Sequence, residues 1–110
     1  MDAAARALSE PNRRFILRLV HDDERTVGEI AEQLPISRPA VSQHLRVLEE
    51  AELVKVRKQG TRRYYSARPE GLVELRAWLD EFWVDRLDRL KAEVERDQGI
   101  ARKRTKAPKQ

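Results

Sequence analysis

The sequence predicts a mainly helical domain with one small β-hairpin, an α+β fold. Three observations predict it. Two short amphipathic segments, residues 27–34 and 37–53, are joined by a brief turn containing Pro35. After Leu53 the apolar pattern changes from helical to alternating, with Gly60 at the midpoint of the alternating stretch. From Pro69 to about Arg96 a single uninterrupted helical pattern carries one apolar stripe.

Each element follows from its residues. Residues 2–8 are alanine-rich and predict a short helix (α1) with Ala3, Ala4, Ala7 and Leu8 on its apolar face. Ser9-Glu10-Pro11 restarts the chain as a capped helix (α2), with proline in the first turn where no donor is lost. Phe15, Ile16, Leu19 and Val20 recur at helical spacing and are expected in the core. Arg13, Arg14 and Arg18 are expected outside, and His21 falls in the last turn, where a cation suits the helix dipole.

Residues 22–25 form a polar turn. Thr26 and Glu29 then have the spacing of a capping box, and Val27, Ile30, Ala31 and Leu34 form the stripe of a helix (α3) that Pro35 ends. Ser37 caps the next helix (α4, 37–53), with Pro39 in its first turn. At ~100° per residue, Val41, Leu45 and Leu48 share one side and Pro39, Ser42, Gln43 and Arg46 the other. A helix that is apolar behind and carries hydrogen-bonding side chains in front, near its N-terminus, is what a major-groove reader needs. Taken alone, the same pattern also suits an ordinary amphipathic surface helix.

Val54 and Val56 face one way and Lys55 and Arg57 the other; Gln59-Gly60-Thr61 turns the chain, and Arg63-Tyr64-Tyr65-Ser66 returns. An isolated hairpin (β1, β2) is marginal in water, so its Val and Tyr side is expected on the helices. The last helix (α5, Pro69 to about Arg96) aligns Leu72, Leu75, Leu79, Phe82, Trp83, Leu87, Leu90 and Val94. Nothing later in the chain can cover the distal part of that stripe, which implies a second copy of the chain. The expected order is α1-α2-α3-α4-β1-β2-α5, a helix-turn-helix with a hairpin wing, spanning residues 1–97. Residues 98–110 read as a disordered basic tail.

Composition narrows the function. One hundred and ten residues make one domain, short for an enzyme with a deep pocket. Cysteine is absent, which excludes disulfides and thiolate metal sites and suits a cytoplasmic, nucleoid-associated protein. No apolar run is long enough to span a membrane. Of the basic residues, five lie in 99–110; without them 18 basic face 19 acidic residues, so the net charge of +4 belongs to the tail. Lys55, Arg57, Lys58, Arg62, Arg63 and Arg68 form a second basic cluster with no acidic residue among them. Both clusters point to a polyanion.

S-E-P-N-R-R-F-I-L from Ser9, T-V-G-E-I-A-E-Q-L from Thr26, S-R-P-A-V-S-Q-H-L-R-V-L from Ser37 and K-Q-G-T-R-R-Y-Y from Lys58 resemble the ArsR family of bacterial repressors over roughly residues 5–95. The resemblance implies a winged helix-turn-helix homodimer built on the first helix, with Leu8 at the interface, and the last, which binds an imperfectly palindromic double-stranded DNA operator. It implies DNA contacts at Arg38, Pro39, Ser42 and Gln43, supported by Arg46. Arg38 is expected on guanine and Gln43 on adenine, where a bidentate pair is worth ~1–3 kcal/mol, with phosphate or solvent contact as the alternative for both. Arg46 and Arg13 or Arg14 are expected on phosphates, and the wing residues Lys58, Arg62 and Arg63 on phosphates or in a minor groove.

The departures are informative. Where metal-sensing relatives carry a cysteine pair, this chain has Val27-Gly28-Glu29-Ile30, and no histidine follows His44, so no metal or other cofactor is expected. Pro35 stands where the family often has glycine or asparagine, and Arg68 where it often has the Asp that caps the last helix. No residue pattern identifies an inducer. Trp78, Phe82 and Trp83 suit an interface core, and also a ligand pocket at the subunit boundary. A rival to operator recognition is a winged-helix module that binds nucleic acid or protein without reading sequence. Catalysis is the weakest class: Ser42 and His44, at i and i+2 on one helix, diverge.

Overall fold

The computed structural model describes residues 1–101. Its elements are α1 (Asp2–Ala7), α2 (Pro11–Asp22), α3 (Val27–Ala31), α4 (Arg38–Glu50), β1 (Val54–Gln59), β2 (Arg62–Ala67), a single 3-10 turn (Pro69–Leu72) and α5 (Val73–Ala101). Met1–Arg76 is one compact unit, and α5 from Ala77 onward is a second.

The first unit is built around α4. Val41, Leu45 and Leu48 are at most 1% exposed and meet Ile16 and Val20 of α2, Ile30 of α3, Ala4 and Ala7 of α1, and Leu53, Val54 and Tyr65 at the foot of the hairpin. Local chemistry starts α2, α3 and α4 where the sequence places them. The Ser37 hydroxyl accepts from the Ala40 N–H at 3.3 Å, and Pro39 lies in the first turn. Thr26 and Glu29 form the capping box reciprocally, at 3.2 and 2.8 Å. At α2 the cap is Glu10, whose carboxylate accepts from the Arg13 N–H at 3.0 Å, while the Ser9 hydroxyl donates to Arg6 O and closes α1 instead.

Four expectations need correction. The α4 helix ends at Glu50, three residues before Leu53, because Glu52 turns to a positive φ and the Glu52 and Leu53 N–H groups fold back onto Glu49 O and Leu48 O. Phe15 is 43% exposed: Ile16 and Val20 take the centre of the buried stripe, and Phe15 stands one residue, ~100°, round from it. The α3 helix stops at Ala31, three residues early. Gln33 N–H donates to Ile30 O and Leu34 N–H to Ala31 O, tightening the chain into i→i+3 turns ahead of Pro35. The last helix opens with a 3-10 turn over Pro69–Leu72 and runs past Arg96 to Ala101. Residues 98–101 of the expected tail are therefore helical, and the rest of that tail lies outside the described residues.

The hairpin pairs Val54 with Ala67 through to Gln59 with Arg62, leaving Gly60-Thr61 as a two-residue turn. Gly60 has φ +62°, the left-handed value that the first turn position of a type II′ hairpin requires. Tyr65 packs inward beside Val54 and exchanges both backbone hydrogen bonds with Arg25, at 2.8 and 3.0 Å, so the α2–α3 loop adds a short third rung. Tyr64 faces the other way, under the Arg57 guanidinium at 4.6 Å. Only one of the two tyrosines therefore joins the core.

In the second unit Trp78, Leu79, Phe82, Trp83, Leu87, Leu90 and Val94 are each between 44% and 60% exposed, an apolar stripe as the sequence predicts. Trp78 and Phe82 stack edge to face, 4.8 Å between ring centroids. Among the described residues no helix is long and apolar enough to cross a membrane.

Candidate nucleic-acid interface

Burying Val41, Leu45 and Leu48 leaves the opposite side of α4 to solvent. Arg38, Pro39, Ser42, Gln43 and Arg46 are all exposed. Among the described residues, the side chains of Arg38, Ser42, Gln43 and Arg46 make no hydrogen bond or ion pair within the chain, so their donors and acceptors are available. The structure brings Arg38, at the start of this face, together with the wing. A groove of about 540 Å³ runs between the start of α3, Arg38, and the hairpin tip at Thr61, Arg62, Arg63 and Tyr64.

Gly28 shapes that groove, a role the sequence did not disclose. A Cβ placed on it would lie 3.0 Å from Arg38 Nη2 and 3.3 Å from Cζ, so the guanidinium lies across the bare backbone of α3. Glu29 and Glu32 also line the groove, but the Glu29 carboxylate is engaged in the capping box.

The basic cluster on and around the wing is sorted by its acidic neighbours. Arg57 donates from Nε to Glu24 Oε2 at 3.0 Å and from Nη2 to Oε1 at 2.9 Å. Arg68 donates from Nη1 to Glu52 Oε1 at 2.7 Å. The Arg68 tie lies at the foot of the hairpin and the Arg57 tie halfway along it, opposite Tyr64. Lys55, Lys58, Arg62 and Arg63 have no ion pair among the described residues, and three of them, Lys58, Arg62 and Arg63, flank the turn.

The hydrogen bond from Arg57 holds the Glu24 carboxyl below its ordinary range, against a smaller opposing effect of desolvation. A carboxyl lowered in the folded state stabilises above its unfolded pKa and loses that contribution as pH falls through the folded value. Acidification through the carboxylate range is therefore expected to loosen the tie between the wing and the α2–α3 loop. Glu24→Gln should reduce the dependence of the urea midpoint on pH there, and an unchanged dependence would show that the pair anchors nothing.

Arg13 and Arg14 are placed otherwise than expected. Arg13, half-buried, donates from Nε to Ala7 O at 2.6 Å and from Nη2 to Arg6 O at 3.3 Å, and Arg14 donates from Nη1 to Leu8 O at 2.7 Å. Both close the C-terminal end of α1, whose carbonyls lack helical partners. Arg13 Nη1 also meets His44 Nδ1 at 3.4 Å, and His44 Nε2 lies 3.8 Å from Glu10 Oε2. Burial pushes the Glu10 carboxyl up, but the N–H groups of Arg13 and Asn12 and the nearby His44 and Arg13 more than offset it and leave it lowered. His44 is thus a structural link between α4 and α2.

A model described as a helix-turn-helix domain matches residues 8–57. The chain is 51% identical over 83 residues to the HTH-type transcriptional regulator Rv2034 of Mycobacterium tuberculosis, covering 76% of this chain and 78% of that protein. It is 37% identical to the transcriptional repressor SdpR of Bacillus subtilis, over 74% of this chain and 91% of the relative. Among solved structures it resembles the homodimeric winged helix-turn-helix DNA-binding domain of a possible ArsR-family regulator from Mycobacterium bovis. That match has a TM-score of 0.61 at 30% identity and covers 76% of this chain and 78% of that one. With its helix-turn-helix, its hairpin wing and these relatives, the chain belongs to the ArsR family of winged helix-turn-helix transcriptional regulators.

Proposed function

We propose that the chain is a sequence-specific repressor that binds a palindromic double-stranded DNA operator as a homodimer. The observation that carries this reading is the exposed, unpartnered polar face of α4, held outward by a core that buries the reverse of the same helix. Arg38 and Gln43 read base edges, Ser42 and Arg46 position the helix, and Lys58, Arg62 and Arg63 hold the backbone. Arg13 and Arg14 are omitted from this set because they are engaged in closing α1. The exposed α5 stripe supports pairing of two copies, which presents two α4 helices to half-sites one helical turn, ~34–36 Å, apart. With no cysteine in the chain, any signal that relieves repression does not act through a thiolate metal site. The protein works on the cytoplasmic chromosome, as a regulator and not as an enzyme.

Enrichment of genomic fragments on the purified protein should yield a palindrome, and equal affinity for that palindrome and its scrambled version would overturn the proposal. The roles divide by mutation. Arg38→Ala should lose ~1–3 kcal/mol of discrimination at one base position of each half-site. Arg62→Ala and Arg63→Ala should weaken all duplexes alike and flatten the salt dependence by roughly one unit of log–log slope each. Uniform loss with Arg38→Ala would move that residue from base reading to phosphate.

A further inference from the structure

A second concavity lies in the first unit, apart from the groove beside α4. It is an open cleft of about 340 Å³, near the lower end of small-ligand sites. Its apolar lining is Leu8, Leu17, Leu53, Ala67, Pro69 and Leu72. Its polar lining is Arg14, Arg18, His21 and Arg68, with no acidic residue.

Arg14, Arg18 and His21 stand at i, i+4 and i+7 on α2 and therefore form one row along the cleft. Arg14 is held by Leu8 O and Arg68 by Glu52. Arg18 and His21 have no hydrogen bond or ion pair among the described residues. An apolar trough beside the unanswered Arg18 guanidinium is complementary to one class of occupant. The apolar part loses water contact in the trough, and the anionic head meets guanidinium donors.

We propose that this cleft binds a small amphipathic anion, an apolar body ending in a carboxylate. The proposal goes beyond the DNA reading and does not depend on it. The position of the cleft also gives a bound molecule a route to α4. Leu53 and Arg68 line it, and Arg68 N–H donates to Leu53 O at 2.7 Å, directly beyond the C-terminal end of α4.

Titration calorimetry of the full chain tests it with three probes: decanoate, decyltrimethylammonium and acetate. Decanoate is expected to saturate at one per chain, whereas the cationic and the headgroup-only probes give no saturable heat. Arg18→Gln, a change at an exposed side chain, should weaken decanoate at least ~10-fold, the equivalent of one charge-assisted hydrogen bond. Its far-UV spectrum and sedimentation should match the unaltered protein. Equal binding of decanoate and decyltrimethylammonium, no decanoate binding, or unchanged affinity in Arg18→Gln would each overturn the proposal. So would an Arg18→Gln chain that sediments as a monomer, because the cleft would then be covered by a second copy. None of these readouts involves DNA, so their failure leaves the operator reading untouched.

Discussion

Leu87→Glu is expected to give a monomer that no longer retains the operator, with the Met1–Arg76 unit still folded. Leu87 lies midway along the α5 stripe and is 54% exposed within one chain, so a charge there meets water and costs the isolated protomer little. Glutamate is also a good helix former. Between two copies the same carboxylate would be buried among Leu90, Trp83 and their counterparts without a partner, at a penalty of several kcal/mol. Binding then falls to one half-site at a time. The second half-site contributes as an intramolecular event, so its loss is worth at least ~100-fold in operator affinity. Sedimentation reads the first effect and gel shift the second. A Leu87→Glu protein that stayed dimeric, or that bound operator within about twofold of the original, would remove the paired α5 helices from the mechanism.

The parts of the molecule legible in the sequence are those set by period and by short-range capping. Val41, Leu45 and Leu48 sit four and three residues apart, so the outward rank of Pro39, Ser42, Gln43 and Arg46 follows from helical angle alone. Thr26 with Glu29, and Ser37 with Ala40, close within three residues and need no tertiary information. What stayed hidden depends on where distant segments meet. Nothing near Arg13 or Arg14 announces that α1 returns its C-terminal carbonyls to them. Gly28 reads as a weak helix residue until Arg38, ten positions later, is found lying across it. The basic run from Lys55 to Arg68 looks uniform along the chain, yet Glu24 and Glu52, outside the run, answer Arg57 and Arg68. Periodicity also misplaced Phe15, because a helix with apolar residues on more than half its circumference does not reveal which edge the neighbours cover.

Gly71→Ala is expected to be the most damaging single-methyl change in the first unit. A Cβ there would stand 2.1 Å from Glu52 O and 2.8 Å from Glu52 C, both backbone atoms. Neither can retreat cheaply. Glu52 ends α4 in a left-handed conformation, φ +61°, that only a few non-glycine residues adopt. Glu52 N–H donates to Glu49 O and Leu53 N–H to Leu48 O, each at 2.9 Å, the paired hydrogen bonds of a Schellman motif. Leu53 O in turn accepts from Arg68 N–H, which fixes the strand end leading to Gly71. Adding the methyl therefore either opens the cap of α4 or lifts the Pro69–Leu72 turn from it. The expected cost is about 3 kcal/mol, at the upper end of overpacking. Gly60→Ala is the matched control. Its φ of +62° is strained for alanine, but no atom lies within 4 Å, so roughly 1–2 kcal/mol is expected from the backbone conformation alone. Urea denaturation of the two variants separates close approach from conformation. If Gly71→Ala unfolded at the same midpoint as the original, the turn after β2 would not be seated on the end of α4, and that end would lack the support that holds its polar face in place.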